Sequence, residues 1–247
     1  MNNLSLTALA ASLVAANIAC AGGPATHWGY VGHDGPEHWG ELDPAYQTCA
    51  VGKNQSPIDL TAAIDAELPA LGFDYATLAT EILNNGHTVQ ANFAPGSTLE
   101  VDGRRFALKQ VHFHSPSENA IDGKPCALEA HFVHADADGN LAVVAVMFDE
   151  GPENATLTAL WNTMPEQAGE RHALQPAVAV DAMMPVSRDY YRFTGSLTTP
   201  PCSEGVIWLV LKDEMTASRA QIARFASVMH HPNNRPLQPI NARVVLR

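Results

Sequence analysis

Residues 97–115 read STLEVDGRRFALKQVHFHS, two alternating runs of apolar and polar residues hinged at Asp102-Gly103. An Asp-Gly pair between such runs is a strong hairpin signal, because a two-residue hairpin turn holds its central residues at φ > 0. This stretch commits the chain to antiparallel sheet. CALEAHFVHAD (126–136) alternates again. LAVVAVMF (141–148) and VIWLVL (206–211) are apolar throughout. That is the pattern of strands buried on both faces, so these two belong at the centre of the sheet. Helical spacing is confined to two places. Leu157, Leu160, Trp161 and Met164 recur at i, i+3, i+4, i+7, as do Ile222, Phe225, Ala226 and Met229, the latter behind a capping box from Ser218 to Gln221. The expected fold is α+β and β-rich: a single domain with a large, mostly antiparallel central twisted sheet and a few surface helices.

A chain of 247 residues that is 46% hydrophobic can bury an ample core. Its formal net charge of -12 repels phosphate backbones and anionic lipid, so nucleic acid is not an expected partner. LSLTALAASLVAA (4–16) is apolar and uncharged, but shorter than the roughly 20 residues of a membrane span. With Ala19-Cys20-Ala21 behind it, the segment fits a secretory signal cleaved after Ala21, although no Lys or Arg precedes it. Residues 1–21 are therefore expected to be a signal peptide and 22–247 the mature domain, secreted and periplasmic. Lipidation of Cys20 is the lesser alternative, because Asn17 stands where lipoproteins usually carry Leu.

Cys49, Cys126 and Cys202 remain after cleavage, and none forms a C-x-x-C pair. Secretion permits a disulfide. Cys49–Cys202 is favoured, because both lie in loop-like, proline-flanked sequence, whereas Cys126 opens an apolar strand and reads as a buried thiol.

Within QVHFHSPSEN, His112 and His114 share one strand face while Val111 and Phe113 take the other. Residues two apart on a strand lie ~6.6 Å apart, so two imidazoles leaning inward can meet one ion. By itself an H-x-H is weak evidence, and a solvated strand face is the commoner meaning. In LEAHFVH, however, Glu129, His131 and Val133 share a face, which offers a third imidazole from a neighbouring strand. Glu129 and Gln110 are each placed to accept the proton on a ligand's second ring nitrogen. His134 faces away and reads as a core histidine. Three neutral histidines with a fourth position open describe a catalytic zinc site.

The motifs HWGYVGHDGPEHWGEL, NQSPIDL, NNGHTVQANF, QVHFHSPSEN, LEAHFVH, YYRFTGSLTTPPCSEGVIW and RPLQPINAR, in that order from His27 to the end of the chain, resemble an α-class carbonic anhydrase of the bacterial, secreted type. The resemblance implies one Zn2+ held by His112, His114 and His131, and reversible hydration of carbon dioxide to bicarbonate and a proton by attack of zinc-bound hydroxide. It assigns Thr198 as the residue that accepts a hydrogen bond from the hydroxide, and Glu118 as the carboxylate toward which the Thr198 proton points. An ionised carboxylate only accepts, so the Thr198 oxygen is left to orient the nucleophile. His87 matches the proton shuttle. A zinc-bound water with a pKa of about 7, a value borrowed from carbonic anhydrases as a class, could lose its proton directly to water at only about 10³ s⁻¹, if reprotonation is diffusional. An imidazole carrier removes that limit. Tyr30, Asn85 and Gln90 match a polar wall. Val133, Val143, Leu197, Val206 and Trp208, with Thr198 and Thr199, match the CO2 site. As bare sequence His87 is equally a turn residue and the apolar five are core residues. Asn119 follows Glu118 where many members of the family carry His, a departure that touches a supporting hydrogen-bond network. The resemblance suggests a homodimer, though the sequence itself does not give the oligomeric state, and it gives the disulfide a purpose: Cys202 follows Thr198 by four residues, so the bridge would steady that loop. A catalytically dead relative should lack a zinc histidine, and none is missing. A serine esterase should show G-x-S-x-G, and none is present.

Overall fold

The structure, a computed structural model, describes residues 26–247. The expected signal peptide, with Cys20, lies outside the described residues. The strands are β1 (Gly72–Asp74), β2 (Ala79–Asn84), β3 (Val89–Phe93), β4 (Thr98–Val101), β5 (Arg104–His114), β6 (Leu128–Ala135), β7 (Leu141–Glu150), β8 (Arg171–Val178), β9 (Tyr190–Ser196), β10 (Glu204–Leu211) and β11 (Met215–Ala217). They form one mixed sheet in the order β8-β2-β3-β5-β6-β7-β10-β9, with β4 and then β1 alongside β5, and β11 alongside β7. Pairing is antiparallel except where β7 meets β10 and β11. The two wholly apolar runs are thus neighbours in the sheet's interior, as their composition requires.

The Asp102-Gly103 turn joins β4 to β5, pairing Val101 with Arg104, with φ of 53° and 69° at the two turn residues. Helices α1 (Trp39–Leu42) and α2 (Thr48–Val51) are single turns in the segment ahead of the sheet. The longer helices are α3 (Ala155–Trp161) and α4 (Arg219–Met229). Asn154 caps α3 by accepting from the backbone of Thr156 and Leu157. The Ser218–Gln221 capping box on α4 is formed in both directions. Met164 lies beyond the end of α3 but is buried.

The two faces of the sheet have different occupants. One face presents Val111, Phe113, Ala130, Phe132, Val144, Val146, Leu209 and Leu211, which pack with Leu157, Leu160, Trp161, Phe225 and Met229 from the two longer helices. The other presents Val143, Ala145, Met147, Val206, Trp208 and Val210, covered by Ile58, Leu60 and Val245 from the chain's two ends. His112, His114 and His131 belong to this second face. His134 belongs to the first: it is fully buried, its Nε2 lies 2.7 Å from the Tyr75 hydroxyl, and its Nδ1 lies 3.3 Å from Ala142 O.

Strand β5 does not alternate without interruption. Its register against β6 slips between Leu108 and Gln110, where Leu108 pairs with His134 and Gln110 with Val133. Phe106 and Leu108 point to the helix face before this bulge, and Val111 and Phe113 after it. The bulge changes the phase of the strand, so that even-numbered residues beyond it face the other way. Gln110, His112 and His114 reach the second face only because of it.

Candidate metal centre

His112 and His131 sit directly opposite each other across β5 and β6, and His114 is opposite Glu129. Directly opposed residues have Cβ atoms only about 5 Å apart, so strand pairing alone brings these rings together. The ring centroids lie 5.0 Å (112–114), 5.1 Å (112–131) and 4.6 Å (114–131) apart. One nitrogen from each ring lies within 4.8 Å of the others.

Hydrogen bonding decides which nitrogen that is. His112 Nδ1 is 2.9 Å from Gln110 Oε1, leaving Nε2 free. His114 Nδ1 is 2.7 Å from Asn233 O, again leaving Nε2, which is buried without a partner. His131 Nε2 is 2.9 Å from Glu129 Oε1, which leaves Nδ1. Each ring therefore donates outward to an acceptor and turns a lone pair inward. Burial holds His112 well below the usual imidazole range, and the neighbouring His114 and His131 press the same way. Burial also lowers His114, against the pull of Asn233 O and Glu129. Three inward-facing imidazole nitrogens, one of them orphaned, fit a zinc ion, which takes imidazole nitrogens at about 2.0–2.1 Å and needs its ligands deprotonated.

Glu129 is buried and accepts four hydrogen bonds: from His131 Nε2, from the backbone of Glu118 at 2.7 Å, and from the backbone and side chain of Asn119 at 2.9 and 2.7 Å. Burial pushes its carboxyl up, but His131 and Asn119 outweigh it, and the net shift is downward. Asn119 also accepts from Ile58 N at 3.2 Å. Asn119 thus completes the hydrogen bonding around Glu129 with both its backbone and its side chain.

Glu118 Oε2 lies 3.5 Å from His114 Nε2 and 3.9 Å from His131 Nδ1, and makes no hydrogen bond. Its other oxygen accepts from Arg235 N at 2.9 Å. Burial raises this carboxyl to about 7, opposed by His131, by the Arg235 N–H and by the adjacent Thr198 hydroxyl. Thr198 is buried in the loop between β9 and β10. That loop is closed by Cys202 N donating to Thr199 O at 2.8 Å, and by the Cys49–Cys202 disulfide across 153 positions. Val133, Val143, Leu197, Val206 and Trp208 form one apolar cluster beside the rings, with the Trp208 ring 4.9 Å from that of His131.

His87 follows the Asn85-Gly86 turn and is half-buried, its ring stacked on Trp28 at 3.7 Å and 8°. Burial lowers its pKa, and His27 and His231 add to this. Gln90 pairs with His112 across β3 and β5 and donates to Asn92 at 2.7 Å. Tyr30 packs against Trp28 and Trp39. Asn85 spends its carboxamide oxygen on the backbone N–H groups of His87 and Thr88, the work of a turn residue. Cys126 is a free buried thiol whose pKa is raised by burial and by Glu214 and Asp149.

Two residues here were not foreseen. Arg235, 2% exposed, donates through its guanidinium to Gln55, Ser56 O and Cys49 O, tying the Glu118 support to the disulfide segment. Asn233 supplies the carbonyl that holds His114. Arg235 stands in a motif quoted above, RPLQPINAR, but nothing local marks it as buried. Asn233 has no local signal at all.

A single large sheet carries three converging imidazoles that could hold a metal ion, beside a buried carboxylate and an apolar wall, which is the arrangement of an open tri-histidine centre. Comparison names the family. The family model described as eukaryotic-type carbonic anhydrase matches residues 34–247. The carbonic anhydrase of Pectobacterium carotovorum is 50% identical over 220 residues, covering 89% of this chain and 90% of that one. The α-carbonic anhydrase of Thermovibrio ammonificans, solved with the inhibitor sulfanilamide, superposes with a TM-score of 0.89 at 48% identity, covering 91% of this chain and all of that one. That of Photobacterium profundum gives 0.86 at 52% identity, covering 90% and 100%. The chain belongs to the α-class carbonic anhydrase family and is an enzyme of that family.

Proposed function

We propose that the chain catalyses the reversible hydration of CO2 to bicarbonate and a proton at a zinc ion held by His112 Nε2, His114 Nε2 and His131 Nδ1. The observation that carries this reading is the inward convergence of three imidazole nitrogens whose partner nitrogens are all engaged elsewhere. A zinc ion bound there would supply the Lewis acidity that brings a water's pKa down toward neutrality.

The remaining work falls to the chain's own groups. Gln110, Asn233 O and Glu129 fix the three rings and their tautomers. Glu118, when ionised, accepts a hydrogen bond from the Thr198 hydroxyl, which leaves the Thr198 oxygen as an acceptor to orient a water at the site. Val133, Val143, Leu197, Val206 and Trp208 offer CO2 an apolar seat and keep bulk water from it, beside Thr198 and Thr199. His87 moves the released proton outward: its half-buried ring has one face on Trp28, and its lowered pKa keeps it a ready donor to buffer. Residues 1–21 act as an export signal, a placement supported by a disulfide that an oxidising compartment sustains.

The test is zinc analysis of the purified protein with a stopped-flow CO2 assay, before and after chelation. One zinc per chain and chelator-sensitive hydration are expected, with zinc retention lost in His112→Ala. Full zinc occupancy in His112→Ala would overturn the ligand assignment, and chelator-resistant hydration would overturn the reading as a whole.

A further inference from the structure

Asn233 lies in the loop that leaves α4 and is fully buried. Every polar atom it has is spent on two segments of the site. Its backbone oxygen faces His114 Nδ1 at 2.7 Å. Its side-chain oxygen accepts from Ser115 N at 2.9 Å. Its amide donates to Phe113 O at 2.9 Å and to His87 O at 3.0 Å. Together these two amide bonds link the histidine-bearing end of β5 to the turn that carries His87. Phe113 O also accepts from Thr88 Oγ1 at 2.5 Å, so the same carbonyl is gripped from both sides. An Asn amide has two N–H donors, and here each is committed to one of the two segments.

We infer that the Asn233 side chain is a positioning residue for proton transfer, fixing the backbone of His87 relative to the metal-bearing strand so that the His87 ring stays stacked on Trp28 at a set distance from the ion. The inference rests on the proposed role of His87 as proton carrier. Its physical basis is leverage. His87 is flanked by Gly86, whose φ is 88°, and by Thr88, whose hydroxyl donates to Phe113 O and accepts from Phe113 N, while the His87 N–H is held by Asn85 Oδ1. The Nδ2 bond is the side-chain contact that ties its carbonyl to β5. Because His114 is held by the backbone oxygen of Asn233, replacing the side chain leaves that acceptor in place.

The test uses the zinc-loaded full chain and the variants Asn233→Ala, His87→Ala and the double variant. In dilute buffer Asn233→Ala should lose between about tenfold and a hundredfold in kcat, the scale of a misplacement near 1 Å. Its kcat should fall much more than its kcat/KM, and imidazole should restore it. Added to His87→Ala, it should cost less than about twofold more, because the two act on one step. Separately, NMR of ¹³C-labelled histidine rings reads the His87 ring-current shift from Trp28, and Asn233→Ala should lose it. Asn233→Ser, which leaves a hydroxyl for Ser115 N–H and removes the paired amide, serves if the alanine variant fails to fold. Equal losses in kcat and kcat/KM that persist in the His87→Ala background, or an unchanged ring-current shift, overturn the inference. If His87→Ala itself keeps full turnover in dilute buffer, the shuttle reading falls, while the NMR shift still decides whether Asn233 fixes the ring.

Discussion

His134 makes one pH-dependent contribution to stability whose size follows from its burial. Its ring is fully buried on the helix face of the sheet, with Nδ1 against Ala142 O and Nε2 against the Tyr75 hydroxyl. The neutral ring, protonated on Nδ1, satisfies both contacts. Burial pushes its pKa from 6.5 to about 4, against weaker upward pulls from the Ala142 and Phe132 backbone. Folding therefore favours the neutral form. Above pH 6.5 neither state takes the proton and the contribution is intact. As pH falls below 6.5 the unfolded chain binds a proton that the folded chain refuses, and stability drops by ~1.4 kcal/mol per pH unit. The loss levels off below about pH 4, where the folded ring protonates too. Integrated over this window, His134 removes about 3 kcal/mol.

Urea unfolding followed by circular dichroism, repeated from pH 7.5 to 4, measures this. The comparison is between the parent and His134→Gln, both zinc-loaded and with the disulfide intact. Other groups titrate in both proteins and cancel in the difference. His134→Gln starts less stable, because it disturbs packing and the Tyr75 contact. The gap should then narrow, or reverse, by about 3 kcal/mol on going to pH 4. Two curves that run parallel from pH 7.5 to 4 would refute the reasoning.

Three other outcomes follow from single contacts. Gln110→Ala or Glu129→Ala should weaken zinc binding by about 10–100-fold, measured by competition with a chromophoric chelator, with unaltered affinity in both ruling out the outer partners. Reducing Cys49–Cys202 releases a loop of 153 positions and should cost on the order of 5 kcal/mol in the chain-entropy description; an unchanged denaturation midpoint under reductant would count against it. At Gly195 a Cβ would clash with Ser56 Oγ and meet Trp208 Cδ1 at 2.9 Å, so Gly195→Ala should lose about 1–3 kcal/mol, and full stability in denaturant would show that β9 can shift.

What could be read from the sequence was what neighbouring residues decide. The Asp102-Gly103 turn, the capping box at Ser218, and the burial of 141–148 and 206–211 each follow from a few adjacent side chains, and each is where it was expected. The three histidines are legible because strand alternation places them, and the Cys49–Cys202 bridge because both cysteines lie in proline-flanked sequence, although Cys49 falls in the single turn α2 rather than in a loop. The bulge in β5 leaves a trace in the sequence. Apolar residues fall at 106 and 108 and then at 111 and 113, a step of three that breaks the period of two. Asn233 and Arg235 left none. Their roles are made by partners 117 to 186 positions away, and a lone polar residue in a loop gives no hint that such partners exist. Asn119 was read as a departure from family pattern, yet its side chain and backbone both reach Glu129.

The bulge links fold to chemistry more tightly than any other feature. Strand side chains repeat every two residues, so a one-residue change in phase moves a whole set to the opposite face. Without the extra residue near Lys109, Phe106, Leu108, Gln110, His112 and His114 would all point to the helix-covered core. That would bury Gln110 and both imidazoles among Phe132, Trp161 and Phe225, while Val111 and Phe113 came to lie beside Glu129 and His131. Polar groups without partners in such a core cost about 1–3 kcal/mol each, so the unbulged register is disfavoured on stability alone. The same misfit that selects the bulge selects the face on which the histidines meet. The bulge in β5 therefore fixes both the burial of the strand's apolar residues and the face on which the three rings converge.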